Sequence, residues 1–216
     1  MICSKTIMRH ITLVVTLCIY FSCTPYKPVP KYYLDYKGDT IPQVDSVQLA
    51  NYIQEQGDSF HLVYCYGGGC SMCESMLPQV LSFSKKQNIP MSVMIVERAA
   101  DSLLVTICMN ELYQLDSTIN IIILSDSLYD AAYRYQRPQT ERLSPFITYG
   151  ANGEGDCNKY DRFLEKCVPN YSSYWHPRIL LYHCRKGVVY DAVNSNGPAF
   201  SDIEKNEILN IIDNSN

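Results

Sequence analysis

The chain has 216 residues, of which 47% are hydrophobic and 19% charged. That length and composition suffice to enclose a real core, with one domain as the default. A formal net charge of −4 without any block of Lys or Arg excludes a nucleic-acid-binding face, which relies on clustered cations.

At the start, Lys5, Arg9 and His10 precede an apolar run over residues 11–21, and Ser22 and Cys23 follow it. A helix rises about 1.5 Å per residue, so this run reaches roughly 17 Å, well short of a hydrocarbon core about 30 Å thick. The pattern predicts a cleaved export signal over residues 1–22. Ser22-Cys23 resembles a bacterial lipobox, although Tyr20 and Phe21 are bulkier than that pattern. The resemblance implies a lipidated Cys23 that anchors the chain to a bacterial membrane, facing the periplasm. An ordinary signal with an incidental cysteine is the alternative. Loss of Lys5 and Arg9 with the signal takes the formal charge from −4 to −6.

Residues 23–39 contain Pro25, Pro28 and Pro30 and read as a semi-rigid tether, which leaves 40–216 as the folded domain. Asp45 or Ser46 can cap a short helix ending near Gln54, with Leu49, Tyr52 and Ile53 on one side. Residues 60–66 form a continuous apolar strand, broken by Gly67, Gly68 and Gly69. From Ser71 onward Cys73, Met76, Leu77, Val80 and Leu81 recur at helical spacing. A second apolar strand is expected over 91–96. A helix follows over 100–115, with Leu104, Ile107, Cys108 and Leu112 inward, and a third strand over 119–124.

Residues 128–135 suggest a short helix stopped by Pro138. The Gly-, Pro- and polar-rich stretch 137–175 reads as an insertion overhanging the active edge. A β-hairpin is expected from strands over 179–184 and 188–193 joined at Arg185-Lys186-Gly187, and Ser201 with Glu204 forms a capping box for a last helix carrying Ile208, Ile211 and Ile212. Alternating helices and apolar strands with a closing hairpin predict an α/β fold, a mixed sheet with helices on both faces.

Chemistry centres on Cys70-Ser71-Met72-Cys73. Ten cysteines make a chance C-x-x-C spacing unremarkable by itself, so its position carries the argument. Cys70 falls where a strand ends and a helix begins, facing unsatisfied N–H groups and the positive end of a helix dipole, both of which stabilise a thiolate. Cys73 lies one turn deeper on the same face, as a resolving thiol should.

The set resembles the thioredoxin-like superfamily, in particular its membrane-anchored periplasmic thiol-disulfide oxidoreductases. Pro78, five residues beyond Cys73, matches a kinking proline of that family. His176-Pro177 before Arg178-Ile179-Leu180-Leu181 resembles its cis-proline strand, which places the insertion just before that strand. The resemblance spans roughly residues 40–214. It implies an enzyme of thiol-disulfide exchange with Cys70 and Cys73 catalytic, His176 and Pro177 contacting substrate, and no cofactor. Its partners are implied to be exported protein disulfides or dithiols and a separate redox partner. Gly69 stands where the family usually has an aromatic residue, and Tyr64 where some members have a buried acid.

Two other readings stay open. Cys70, Met72 and His176 offer donors that suit copper(I), and a thioredoxin-fold binding module could hold the dithiol as structure only. Zinc lacks a second ligand pair of suitable spacing. Cys65, Cys108 and Cys184 read as small core hydrophobes. His61 and His183 read as locally hydrogen-bonded. Cys157 and Cys167 either close a disulfide that staples the insertion, or flank a helix that holds them about 15 Å apart.

Overall fold

A computed structural model describes residues 32–36, 39–57, 59–97, 102–128, 156–169, 171, 177–193 and 199–215. The export signal, Cys23, the three tether prolines, the short helix beyond Leu128, most of 137–175, the Cys157 side chain and His176 lie outside them. Among the described residues no helix is long and apolar enough to cross a membrane.

Seven strands, β1 (Tyr32–Tyr36), β2 (Asp39–Val44), β3 (Phe60–Tyr66), β4 (Met91–Ile95), β5 (Asn120–Leu124), β6 (Arg178–His183) and β7 (Gly187–Val193), form one sheet in the order β1-β2-β5-β4-β3-β6-β7. The strands β2, β5, β4 and β3 run parallel, while β1 and the β6–β7 hairpin pair antiparallel at the two ends. This is the mixed sheet expected. The β1–β2 pair begins inside the stretch read as tether. Within the pair the one proline is Pro42, opposite Tyr33, and Tyr32, Tyr33 and Leu34 are strand-favouring residues.

Among the described residues five α-helices cover the sheet: α1 (Ser46–Gln56), α2 (Ser71–Gln87), α3 (Ser102–Leu115), α4 (Asp156–Cys167) and α5 (Asp202–Asp213). Strand alternation divides the core in two. Leu62, Tyr64, Tyr66, Val93, Ile95, Ile121, Ile123, Ile179 and Leu181 face α2, α3 and α5. Val63, Cys65, Met94, Ile122, Leu124, Leu180 and Tyr182 face α1 and α4. Both faces are apolar, so these central strands read as unbroken hydrophobic runs.

Caps fix the helix starts. The Asp45 carboxylate accepts the Val47 and Gln48 N–H groups while the Gln48 side chain accepts the Asp45 N–H, and Ser201 with Glu204 repeats the box at α5. Each such cap contributes about 1 kcal/mol.

Two expectations are corrected. In α3 the inward residues are Val105, Cys108, Met109 and Leu112, whereas Leu104 is half-buried and Ile107 is 41% exposed. The helix is turned from the expected register: Val105 and Met109, not Leu104 and Ile107, belong to the buried cluster that also holds Val93, Ile95, Ile121 and Ile123. The region read as an insertion contributes α4, which with Val168 just beyond its end lays Tyr160, Phe163 and Leu164 onto the sheet face opposite α2. Since Cys167 ends this continuous helix and its thiol is free, the Cys157–Cys167 staple is overturned; the helical rise separates the two positions too far.

Candidate active site

The site grows from the end of β3. Gly69 has φ 68°, a left-handed conformation that glycine adopts without steric cost. The Cys70 N–H donates to the Gly67 carbonyl at 3.3 Å and closes the turn. Gly68 has little room for a side chain, since a Cβ there would stand 3.0 Å from the Cys108 Sγ. The run of glycines therefore serves tightness and close approach, not phosphate binding.

Cys70 is the N-cap of α2, and its Sγ accepts the Cys73 N–H at 3.2 Å. A sulfur thus occupies the place where a Ser or Asp oxygen usually caps a helix. Cys70 and Cys73 are joined by a disulfide with Cα atoms 5.2 Å apart, inside the ordinary span. Cys70 is half-buried, while Cys73 is fully buried with Met76 and Leu77. One sulfur is reachable and the other sheltered, as the spacing indicated.

Beside this apolar core the first turn of α2 holds no cation, and its charged residue is Glu74. The Tyr64 hydroxyl donates to the Cys73 carbonyl at 2.8 Å. Burial pushes the Tyr64 phenol well above its usual pKa, so it stays a neutral donor. Tyr66 donates to Glu111 at 2.8 Å, and Glu97, almost fully buried, accepts the Gly68 N–H through Oε1 at 2.6 Å.

Pro78 lies inside α2, where its missing N–H leaves the Glu74 carbonyl without the usual helical donor. Pro177 is buried, and the pairing of Cys65 with Arg178 puts it level with Tyr66, on the strand beside the dithiol turn. Sequence spacing thus brought Cys70, Cys73 and Pro177 to one end of the sheet. Met72 is half-buried. Among the described residues no three His, Cys, Asp or Glu side chains are grouped as metal ligands.

The remaining thiols sit in other settings. Cys65, on the opposite sheet face, is pushed up to about 12 by burial, and Tyr160, Arg178, Cys167 and Asp191 act on it more weakly. Cys167 is also pushed up to about 12, again mainly by burial. Cys108 is buried and Cys184, at the end of β6, is half-buried; neither is in a disulfide. His61 shares a 2.8 Å hydrogen bond with Ser92, and the His183 Nδ1 accepts the Arg185 N–H at 3.0 Å.

Sequence reasoning missed four buried charges among the described residues, Glu97, Lys159, Asp161 and Arg178. Lys159 Nζ donates to the Glu97 and Leu124 carbonyls at 2.5 and 2.7 Å and pairs with Asp126 at 2.8 Å. Arg178 lies 2.6 Å from Asp191 and under the Tyr171 ring at 5.5 Å. The Arg178–Asp191 contact is an ion pair by distance rather than an aligned hydrogen bond. A charged residue directly flanking an apolar strand, as Glu97 and Arg178 do, was the available signal.

No family model and no curated protein sequence matches the chain. Among solved structures it is similar to the thioredoxin domain of a thiol-disulfide oxidoreductase from Bacteroides vulgatus, at 13% identity and a TM-score of 0.43, over 85% of this chain and 94% of that one. It is also similar to a thiol:disulfide interchange protein from a Bacteroides species, at 13% identity and a TM-score of 0.44, over 85% of this chain and 86% of that one.

Proposed function

We propose that the protein is a thiol-disulfide oxidoreductase that works through Cys70 and Cys73. The observation that carries this reading is the placement of Cys70: it caps α2 with its sulfur, half-exposed, in a disulfide with fully buried Cys73.

In the reduced protein the Cys70 thiolate attacks one sulfur of a substrate disulfide. A Cys70–substrate bond forms, and the first substrate sulfur leaves as a thiolate that takes a proton from water. Cys73 then loses its proton and attacks the Cys70 sulfur, which closes the Cys70–Cys73 bond and releases the second substrate thiolate. Two electrons pass from the dithiol to the substrate, and the reverse sequence oxidises a substrate dithiol.

The helix terminus contributes about 0.3 to 2 kcal/mol to a nearby anion, which brings a thiol of pKa about 8.5 to roughly 7 to 8. Glu74 in the first turn of α2 works against any larger shift. The reading is therefore a reductant or moderate exchanger rather than a strong oxidant. Its substrates are exported proteins, met at a bacterial membrane to which Cys23 tethers the domain on the periplasmic side. His176 and Pro177 contact the substrate beside the dithiol.

Reduction of a small disulfide and of a disulfide-bonded protein by the recycled chain tests the activity, with Cys70→Ala as the inactive control. Membrane release and loss of lipid mass in Cys23→Ser test the tether. Unchanged turnover in Cys70→Ala would remove the exchange reading.

A further inference from the structure

The turn that presents Cys70 does not hold its shape by its own bonds alone. Besides the Cys70 N–H to Gly67 bond, the Gly68 N–H is taken by the Glu97 carboxylate at 2.6 Å. Glu97 follows β4 on the strand next to β3 and is almost fully buried. Its own backbone carbonyl accepts from Lys159 Nζ at 2.5 Å. Lys159 is fully buried and is held in turn by the Leu124 carbonyl and the Asp126 carboxylate. A continuous strut thus runs from α4 on one face of the sheet, through the end of β4, to the glycine turn on the other.

Space at the turn is also fully used. A Cβ on Gly68 would stand 3.0 Å from the Cys108 Sγ and 3.4 Å from the Glu97 Oε1, so the glycine rests against both. Gly68 precedes the nucleophile by two residues. Any shift of its peptide changes where the Cys70 sulfur lies relative to the N–H of Cys73, the group that stabilises it.

We propose that Glu97 is a positioning residue for the Cys70–Cys73 dithiol: with its backbone carbonyl held by Lys159, its carboxylate holds the Gly68 N–H and so fixes the turn that sets Cys70 at the start of α2. This rests on the exchange reading above. It gives α4 a part in the site that its place on the far sheet face does not suggest. A buried carboxylate with no task at the turn would be costly to keep, whereas a hydrogen bond to a charged acceptor is among the stronger ones.

The test compares the full chain with Glu97→Gln, which keeps an acceptor and drops the charge, and Glu97→Ala, which drops both. Both variants lack the charge, so a difference between them reads the tether. Three quantities are measured: melting temperature, the pH midpoint of Cys70 alkylation in the reduced protein, and the rate at which Cys73 displaces a chromogenic aromatic thiol from Cys70. Glu97→Gln should release the thiol within about twofold of the parent rate, and Glu97→Ala about tenfold more slowly, as expected when a reacting group loses its alignment. The Glu97→Ala midpoint should lie above that of Glu97→Gln.

Equal rates and equal midpoints in the two variants, with only the melting temperature lowered, would overturn the proposal and leave Glu97 as a core brace. If Glu97→Ala does not fold, Gly68→Ala takes its place, since its Cβ crowds the Cys108 Sγ at 3.0 Å and the Glu97 Oε1 at 3.4 Å and should slow release in the same direction; a parent-like rate together with a lowered melting temperature there would also overturn the proposal. Should the unmutated chain exchange with no disulfide, the exchange reading fails by itself, while the alkylation midpoints still decide the role of Glu97.

Discussion

Cys65 and Cys70 are five residues apart on the same strand-turn-helix unit, yet they stand in opposite chemical settings. Cys65 points into the face covered by α1 and α4, packed with Val63 and Tyr160, and burial pushes its thiol up to about 12. Cys70 lies past the glycine turn, half-exposed, with a backbone N–H aimed at its sulfur. Reactivity in this molecule is set by where the chain stops being strand rather than by cysteine content. The same side chain serves as inert filling on one side of Gly67–Gly69 and as a candidate nucleophile on the other.

The largest expected effect removes one member of the comparison. Cys70→Ala should lower disulfide reduction by roughly a thousandfold or more, because the covalent step has no second nucleophile. Cys73→Ser should instead accumulate a mixed disulfide on Cys70, visible as an added mass that dithiothreitol removes.

Native alkylation after mild reduction sets the thiols directly against one another. Cys70 should label first. Cys65 and Cys167 should label at least roughly a hundredfold more slowly at neutral pH, because their thiolate fractions are small and Cys65 is fully buried; peptide mapping reads the order. Fast labelling of Cys65 in the folded protein would break the comparison.

Two smaller effects concern the buried face. Lys159→Met should destabilise the chain by about 3 kcal/mol, since Asp126 and two carbonyls lose their donor, and a denaturant melt measures it. The raised thiols Cys65 and Cys167 bind protons in the folded state above the pH at which they release them unfolded, about 8.5. Stability from this source is fully present below about 8.5 and is lost as pH rises toward the folded value of about 12. The melting temperature should therefore fall by a few degrees between about pH 9 and pH 11, and less steeply in Cys65→Val.

Much of the fold was legible because its central strands are continuous apolar runs and its helices carry caps. Residues 60–66, the glycine break and the start of α2 at Ser71 coincide with the observed elements. The misses have physical causes. In α3, Leu103, Leu104, Val105 and Ile107 crowd the helix with apolar residues, so periodicity alone did not identify the inner stripe. The polar sequence in and just after α4 hid four core residues, since Tyr160, Phe163, Leu164 and Val168 are spaced by three, one and four among charged neighbours. The strut from Lys159 through Glu97 to Gly68 joins residues up to 91 positions apart in the chain, and no local pattern announces such a contact.

The account depends most on the state of the Cys70 sulfur. Its alkylation rate against pH in the reduced full chain, with Cys73→Ser to isolate the site, is the direct measurement. A midpoint at roughly pH 7 to 8 is expected from a helix terminus acting without a cation. An ordinary midpoint near about 8.5, together with no trapped mixed disulfide, would contradict the assignment of Cys70 as the nucleophile.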